Sequence, residues 1–183
     1  MQEFKLYMIL LGAKPAGRHT EQHDIFFTIS KSLKECVPGI RKFWPEGGRS
    51  IHIDAWRNVS FIDGYTLNII LREEKSEKNN EVSLFFVNLG GYKPNEFEEF
   101  HYKLVIAAPD KDTAIKRARK SAFFRHSDSP HVDDKYGIDV DDIYNVEDIL
   151  PDEIRAQYAI DLQPSVELRA DEIHLGYFKL DSL

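Results

Sequence analysis

The chain has 183 residues, 42% of them apolar and 12% aromatic, so it can build the core of one ordinary domain or two small ones. Its 24 basic residues against 31 acidic leave a net charge of −7, which gives no general attraction to phosphate backbones and argues against a nucleic-acid partner. One cysteine, Cys36, rules out an intrachain disulfide, and no apolar run approaches the ~20 residues of a membrane span. With no secretory signal in the sequence, a cytoplasmic protein without a membrane partner is expected.

The first apolar run, "LYMILLGA", has strand length. The loop that follows, "GAKPAGRH", carries Gly12, Gly17, Lys14, Arg18 and His19. Free amides and basic side chains after a strand could cradle a small anion, although the spacing is not that of a phosphate-binding loop. Glu21 and His23 come next, two apart, where the β-branched and aromatic run "HDIFFTIS" reads as a second strand. "SKSLKECVPGIRKFW" then reads as a helix capped by Ser30 or Ser32, with Leu33, Val37, Ile40 and Trp44 as its apolar stripe. Pro38-Gly39 is expected to end or kink it. In "SIHIDAWRNV", His52, Asp54 and Trp56 alternate with Ile51, Ile53 and Ala55, which predicts one shared strand face. "DGY" at Asp63–Tyr65 signals a hairpin turn, and "YTLNIILR" is the returning strand. "EEKSEKNNE" holds no apolar residue and reads as a linker.

The second half echoes the first. An offset of 78 residues places Leu11-Gly12 over Leu89-Gly90, Glu21 over Glu99 and His23 over His101, without a gap. "HYKLVIAA" then reads as a strand, and "PDKDTAIKRARKSAFF" as a helix capped by Asp110, with Ala114, Ile115, Ala118 and Ala122 at helical spacing. Its basic residues Lys116, Arg117, Arg119 and Lys120 read as a solvated face. Beyond it, Ile53-Asp54 aligns with Val140-Asp141 and Asn58-Val59 with Asn145-Val146, so that "QYAIDL" answers "YTLNII". "RHSDSPHVDDKYG" is then an insertion of the second copy, and "DEIHLGYFKL" a last strand. The fold expected is α+β: two tandem β-β-α-β-β units related by pseudo-two-fold symmetry, mostly antiparallel, with helices on one face. The expected boundaries are 1–72 and 82–162 for the units, 73–81 for the linker and 163–183 for a C-terminal strand extension.

The stretches "LGAKPAGRHTEQHD", "HIDAWRNV", "DGY", "LGG…EFH…VIAA" and "HVDDKYGIDVDD" resemble a small bacterial family known as domain of unknown function 1543, here in two copies. The resemblance implies a fold unit. It implies no activity and assigns no catalytic residue.

Residues i and i+2 of a strand share a face, so Glu21 with His23 and His52 with Asp54 offer nitrogen and oxygen donors that suit zinc, manganese or iron if the strands are neighbours. A carboxylate beside an imidazole also suits proton transfer. The second copy offers Glu99 and His101 with Asp139 and Asp141, richer in oxygen. The acidic stretch His126–Asp142 lacks a calcium-loop pattern and reads as a solvated loop. The ligand-binding candidates are therefore Lys14, Arg18, Glu21, His23, His52, Asp54, Trp56, Glu99 and His101, with His23, His52 and Asp54 as the candidate metal ligands.

No cofactor fingerprint or nucleophile motif is present in the sequence. The first functional expectation is a non-catalytic binding or assembly module for an unknown ligand or protein partner, with a homo-oligomer allowed. The alternative is a metal- or acid–base-dependent enzyme using the Glu/His/His/Asp cluster and Arg18. A third idea, nucleic-acid binding through the basic helix face, conflicts with the net charge.

Overall fold

The computed structural model describes residues 3–76, 81–93, 95–126, 139–167 and 169–183. In chain order the strands are β1 (Lys5–Ala13), β2 (Gln22–Ser30), β3 (His52–Val59), β4 (Phe61–Ile62), β5 (Tyr65–Leu71), β6 (Ser83–Tyr92), β7 (Glu99–Ala108), β8 (Asp139–Asn145), β9 (Tyr158–Pro164) and β10 (His174–Lys179). The α-helices are α1 (Val37–Phe43), α2 (Lys111–His126) and α3 (Asp152–Gln157). Over the described residues the protein is α+β, with antiparallel strands in three sheets and few, mostly short helices. It divides into two compact units, Met1–Lys75 with Leu150–Leu183, and Ser76–Ile149. No helix among the described residues is long and apolar enough to cross a membrane.

In the first unit one sheet has the order β10-β3-β1-β2 and another the order β4-β5-β9. One face of β1 presents Tyr7, Ile9, Leu11 and Ala13, and the other face is covered too, with Leu6 and Met8 buried. These pack with Phe26, Cys36, Ile40, Ile51, Ile53 and Leu180 in a core under α1. Pro38 does not end the helix, but the helical stretch breaks beside it: a 3-10 turn stops at Cys36 and Pro38 sits in the first turn of α1. A proline costs nothing there, because the first-turn N–H groups have no partner within the helix. A short 3-10 turn, Lys34–Cys36, precedes it, and Ser32 Oγ accepts the Glu35 N–H at 3.3 Å. Burial pushes the Cys36 thiol up to about 12, with the Glu35 charge adding to a rise that a Ser30 hydrogen bond opposes.

Asp63 and Gly64 both have positive φ, 51° and 83°, as the tight turn between β4 and β5 requires. β5 does not return along β3. It pairs with only two residues of β4 and, along its whole length, with β9, centred on Asn68↔Asp161. The strand "QYAIDL" thus finds its counterpart "YTLNII" as a neighbour in one sheet. β9 and β10 belong by contact to the first unit, whereas the sequence boundaries assigned residues up to 162 to the second.

The second unit has the sheet order β7-β6-β8. Phe85, Val87 and Leu89 of β6 pack with Ile106 and Ala108 of β7 and with Ala114 and Ala118 of α2. Asp110 caps α2 as expected: its Oδ1 accepts the Thr113 N–H at 2.7 Å, which holds its carboxyl below the usual range. Lys116, Arg117, Arg119 and Lys120 are exposed. The expected insertion lies, from residue 127 to 137, outside the described residues, as do residues 77–80 of the linker.

Candidate functional site

Gly12 lies near the end of β1, between His23 of β2 and His52 of β3 in the register. Both neighbours therefore project beside a residue with no side chain. The β1–β3 pairing shifts between Leu10 and Leu11, whose partners are Ala55 and Ile53. Asp54 is the extra residue of that β-bulge, and the bulge turns its carboxylate toward Gly12. A Cβ at Gly12 would lie 2.5 Å from Asp54 Oδ2, 2.5 Å from His52 Nε2 and 2.7 Å from Glu21 Oε1. Glycine is required here because three polar groups occupy the space of its missing side chain.

The bonds within this cluster follow a pattern. His52 is 5% exposed. Its Nδ1 lies 2.8 Å from the Ser50 carbonyl oxygen, a partner that can only accept, so Nδ1–H donates to it. Its Nε2 lies 2.6 Å from Glu21 Oε1 and 3.1 Å from Asp54 Oδ1. His23 Nε2 approaches Asp54 Oδ2 to 3.3 Å but without hydrogen-bond alignment, so among the described residues that buried oxygen has no hydrogen-bond partner. The Tyr177 ring of β10 covers His52, with ring centroids 4.2 Å apart.

The second unit builds a related corner. Gly90 stands between His101 and Asp139 in the register, and Asp141 is the extra residue where the β6–β8 pairing shifts from Asn88↔Asp142 to Leu89↔Val140. A Cβ at Gly90 would meet Asp141 Oδ2 at 2.5 Å. His101 Nε2 lies 3.3 Å from Asp141 Oδ2 and 3.9 Å from Glu99 Oε2. Tyr92 hydrogen-bonds to Glu99, and that bond, with the charges of Glu99 and Asp141, pushes the exposed phenol upward. Glu99, His101 and Asp141 are all open to solvent.

Of the residues singled out from the sequence, Glu21, His23, His52 and Asp54 come together, and Glu99 and His101 meet Asp141. Lys14 and Arg18 do not join them. Both are exposed; the Lys14 backbone N–H donates to Ser50 Oγ at 3.0 Å, and Arg18 N–H closes a turn onto Pro15 O. Trp56 was expected on the face of His52 and Asp54. The bulge at Asp54 moves it to the opposite face, where it packs against the core under α1 and stacks on His174 at 3.9 Å. The alternation missed the bulge because an extra residue leaves no mark on hydrophobic periodicity. It also missed Ser50, which contributes only a backbone carbonyl, and Tyr177, which arrives from a distant strand.

Comparison with known proteins gives two findings. Residues 18–69 match the model of a Domain of Unknown Function (DUF1543), a stretch that holds Glu21, His23, His52 and Asp54 but not Glu99 or His101. The crystal structure of a protein Il1583 from Idiomarina loihiensis has the same fold, with a TM-score of 0.67 and 24% identity over 97% of this chain and 99% of that one. No curated protein matches the chain.

Proposed function

We propose that the protein is a non-catalytic, cytoplasmic binding module made of two related β-β-α-β-β units, and that it takes a cation at the glycine-centred corners. One observation carries this reading: His52 Nε2, with Nδ1 committed to Ser50, faces oxygens of Glu21 and Asp54 at 2.6 and 3.1 Å. A bare lone pair between two acceptors is repulsive, so either a proton or a bound cation belongs between them. The duplication is supported by the shared registers: a glycine flanked by the histidine of a Glu-x-His strand, with an aspartate on a bulge opposite. The non-catalytic reading is supported by Cys36, whose buried thiol stays protonated at neutral pH.

A second reading, an acid–base enzyme, rests on the same Glu21–His52 contact, since a carboxylate at hydrogen-bond distance from an imidazole can exchange a proton with it. It is the weaker reading because burial and the Tyr177 ring restrict substrate access to His52.

The test is a titration of the protein with zinc, manganese, magnesium, calcium and methylammonium chlorides, read from the imidazole ring protons by NMR. The expected result is a shift of the His23 and His52 signals by at least one cation, lost in the Glu21→Gln/Asp54→Asn double variant. Ring signals that ignore every cation would end the proposal.

A further inference from the structure

The geometry points to a divalent transition metal as the cation of the first unit, held by Glu21, His52 and Asp54, with His23 as a fourth donor within reach. The inference rests on the cation-binding reading above and names the chemical class of that ligand.

Several features favour a metal as that cation. The donor set mixes imidazole nitrogen with carboxylate oxygen, which suits zinc, iron or manganese, whereas calcium and magnesium sites are built from oxygen. The ligand atoms of Glu21, His52 and Asp54 all lie within 4.8 Å of one another. Donors bound at about 2.1 Å to one ion stand roughly 3–3.5 Å apart, so the ion needs only a small outward swing of the exposed Glu21 carboxylate. The buried His52 ring stays where it is. Its Nδ1–H bond to the Ser50 carbonyl is the outer-shell contact that fixes a metal-binding imidazole and presents its other nitrogen.

Asp54 Oδ2 supplies independent support. It is buried, has no hydrogen-bond partner among the described residues and points toward Gly12. The polar atoms also converge within 2.5–2.7 Å of the position of an absent Cβ.

The experiment uses the whole chain, purified without a histidine tag and stripped with a chelator. Zinc and cobalt chlorides are then added and binding is measured by equilibrium dialysis with elemental analysis. One tight equivalent of zinc is expected, and cobalt should develop visible absorption from nitrogen–oxygen coordination. Glu21→Gln and Asp54→Asn, which keep shape and leave His52 packed, should each weaken zinc by at least tenfold. His101→Ala should leave the tight equivalent unchanged. Zinc binding that is absent, or that survives both carboxylate changes undiminished, overturns the inference. If methylammonium or magnesium still shifts the His52 signal in that case, the cation-binding reading stands and only the metal assignment falls; if nothing shifts it, both fall.

Discussion

The glycine corners of the two units are laid on the same backbone register, yet one is half closed and the other open. At Gly12 the cluster contains two histidines, one of them 5% exposed and tied to a backbone carbonyl. At Gly90 the position of His52 is taken by Asp139, and the remaining imidazole, His101, has a side chain 36% exposed. The lesson is that one register position, together with a ring reaching it from the edge strand β10, decides which donor groups a corner offers. Imidazole under an aromatic cover suits a borderline metal. Carboxylates in water suit a harder and more loosely held ion.

Changes at the two glycines should break or confirm this contrast most visibly. Gly12→Ala drives a methyl into three polar groups, one of which cannot move, and should cost about 3 kcal/mol in urea unfolding. Gly90→Ala meets the Asp141 carboxylate first, a half-exposed group that can swing into water, and should cost about 1 kcal/mol. Equal losses would erase the distinction between the corners. Both tryptophans, Trp44 and Trp56, lie in the first unit, so fluorescence reports that unit and circular dichroism reports both.

The cores differ in their response to alkali. Cys36 ionises near its ordinary value of 9.0 when unfolded but only at about 12 when folded. The unfolded chain therefore releases a proton that the folded one retains, so stability is full below pH 9 and falls between pH 9 and 12. The expected slope is about 1.4 kcal/mol per pH unit, and Cys36→Ala should remove that component.

A smaller effect should come from Asp139→His, which restores the imidazole of the first corner to the second. It should raise zinc affinity in the second unit by roughly tenfold, read as a second equivalent in dialysis. Smallest is Asp110→Ala, which removes the α2 cap. Its folded-state carboxyl titrates below the usual value, so the cap's contribution should be full above the usual value and lost as pH falls from there through the lower folded-state value. The measurement is the thermal midpoint of the wild type and the variant across acid pH.

Much of the local structure could be read from the sequence. The strand with glycine, the Glu-x-His pair, the Asp110 cap and the Asp63–Gly64 turn depend on neighbouring residues, and local chemistry reports them. The convergence of Glu21 and His23 on His52 and Asp54 followed from two i, i+2 spacings once β2 and β3 flanked β1. What failed was non-local or subtle. A one-residue bulge moved Trp56 to the other face. Pro38 started a helix instead of ending one, because a first-turn proline and a terminating proline look alike in sequence. β9 and β10 joined the first unit through ladder pairings that span about a hundred residues, for which no short window holds a signal.

That last arrangement has a consequence for synthesis. Residues 76–149 form a continuous unit, whereas the first unit needs β9 and β10 from residues 150–183 to fill two of its sheet positions. On a ribosome the middle of the chain can therefore finish folding while the earlier part still waits with open strand edges on β5 and β3. Truncation before Tyr158 should leave a nascent product that is sound in its centre and prone to aggregate at its beginning.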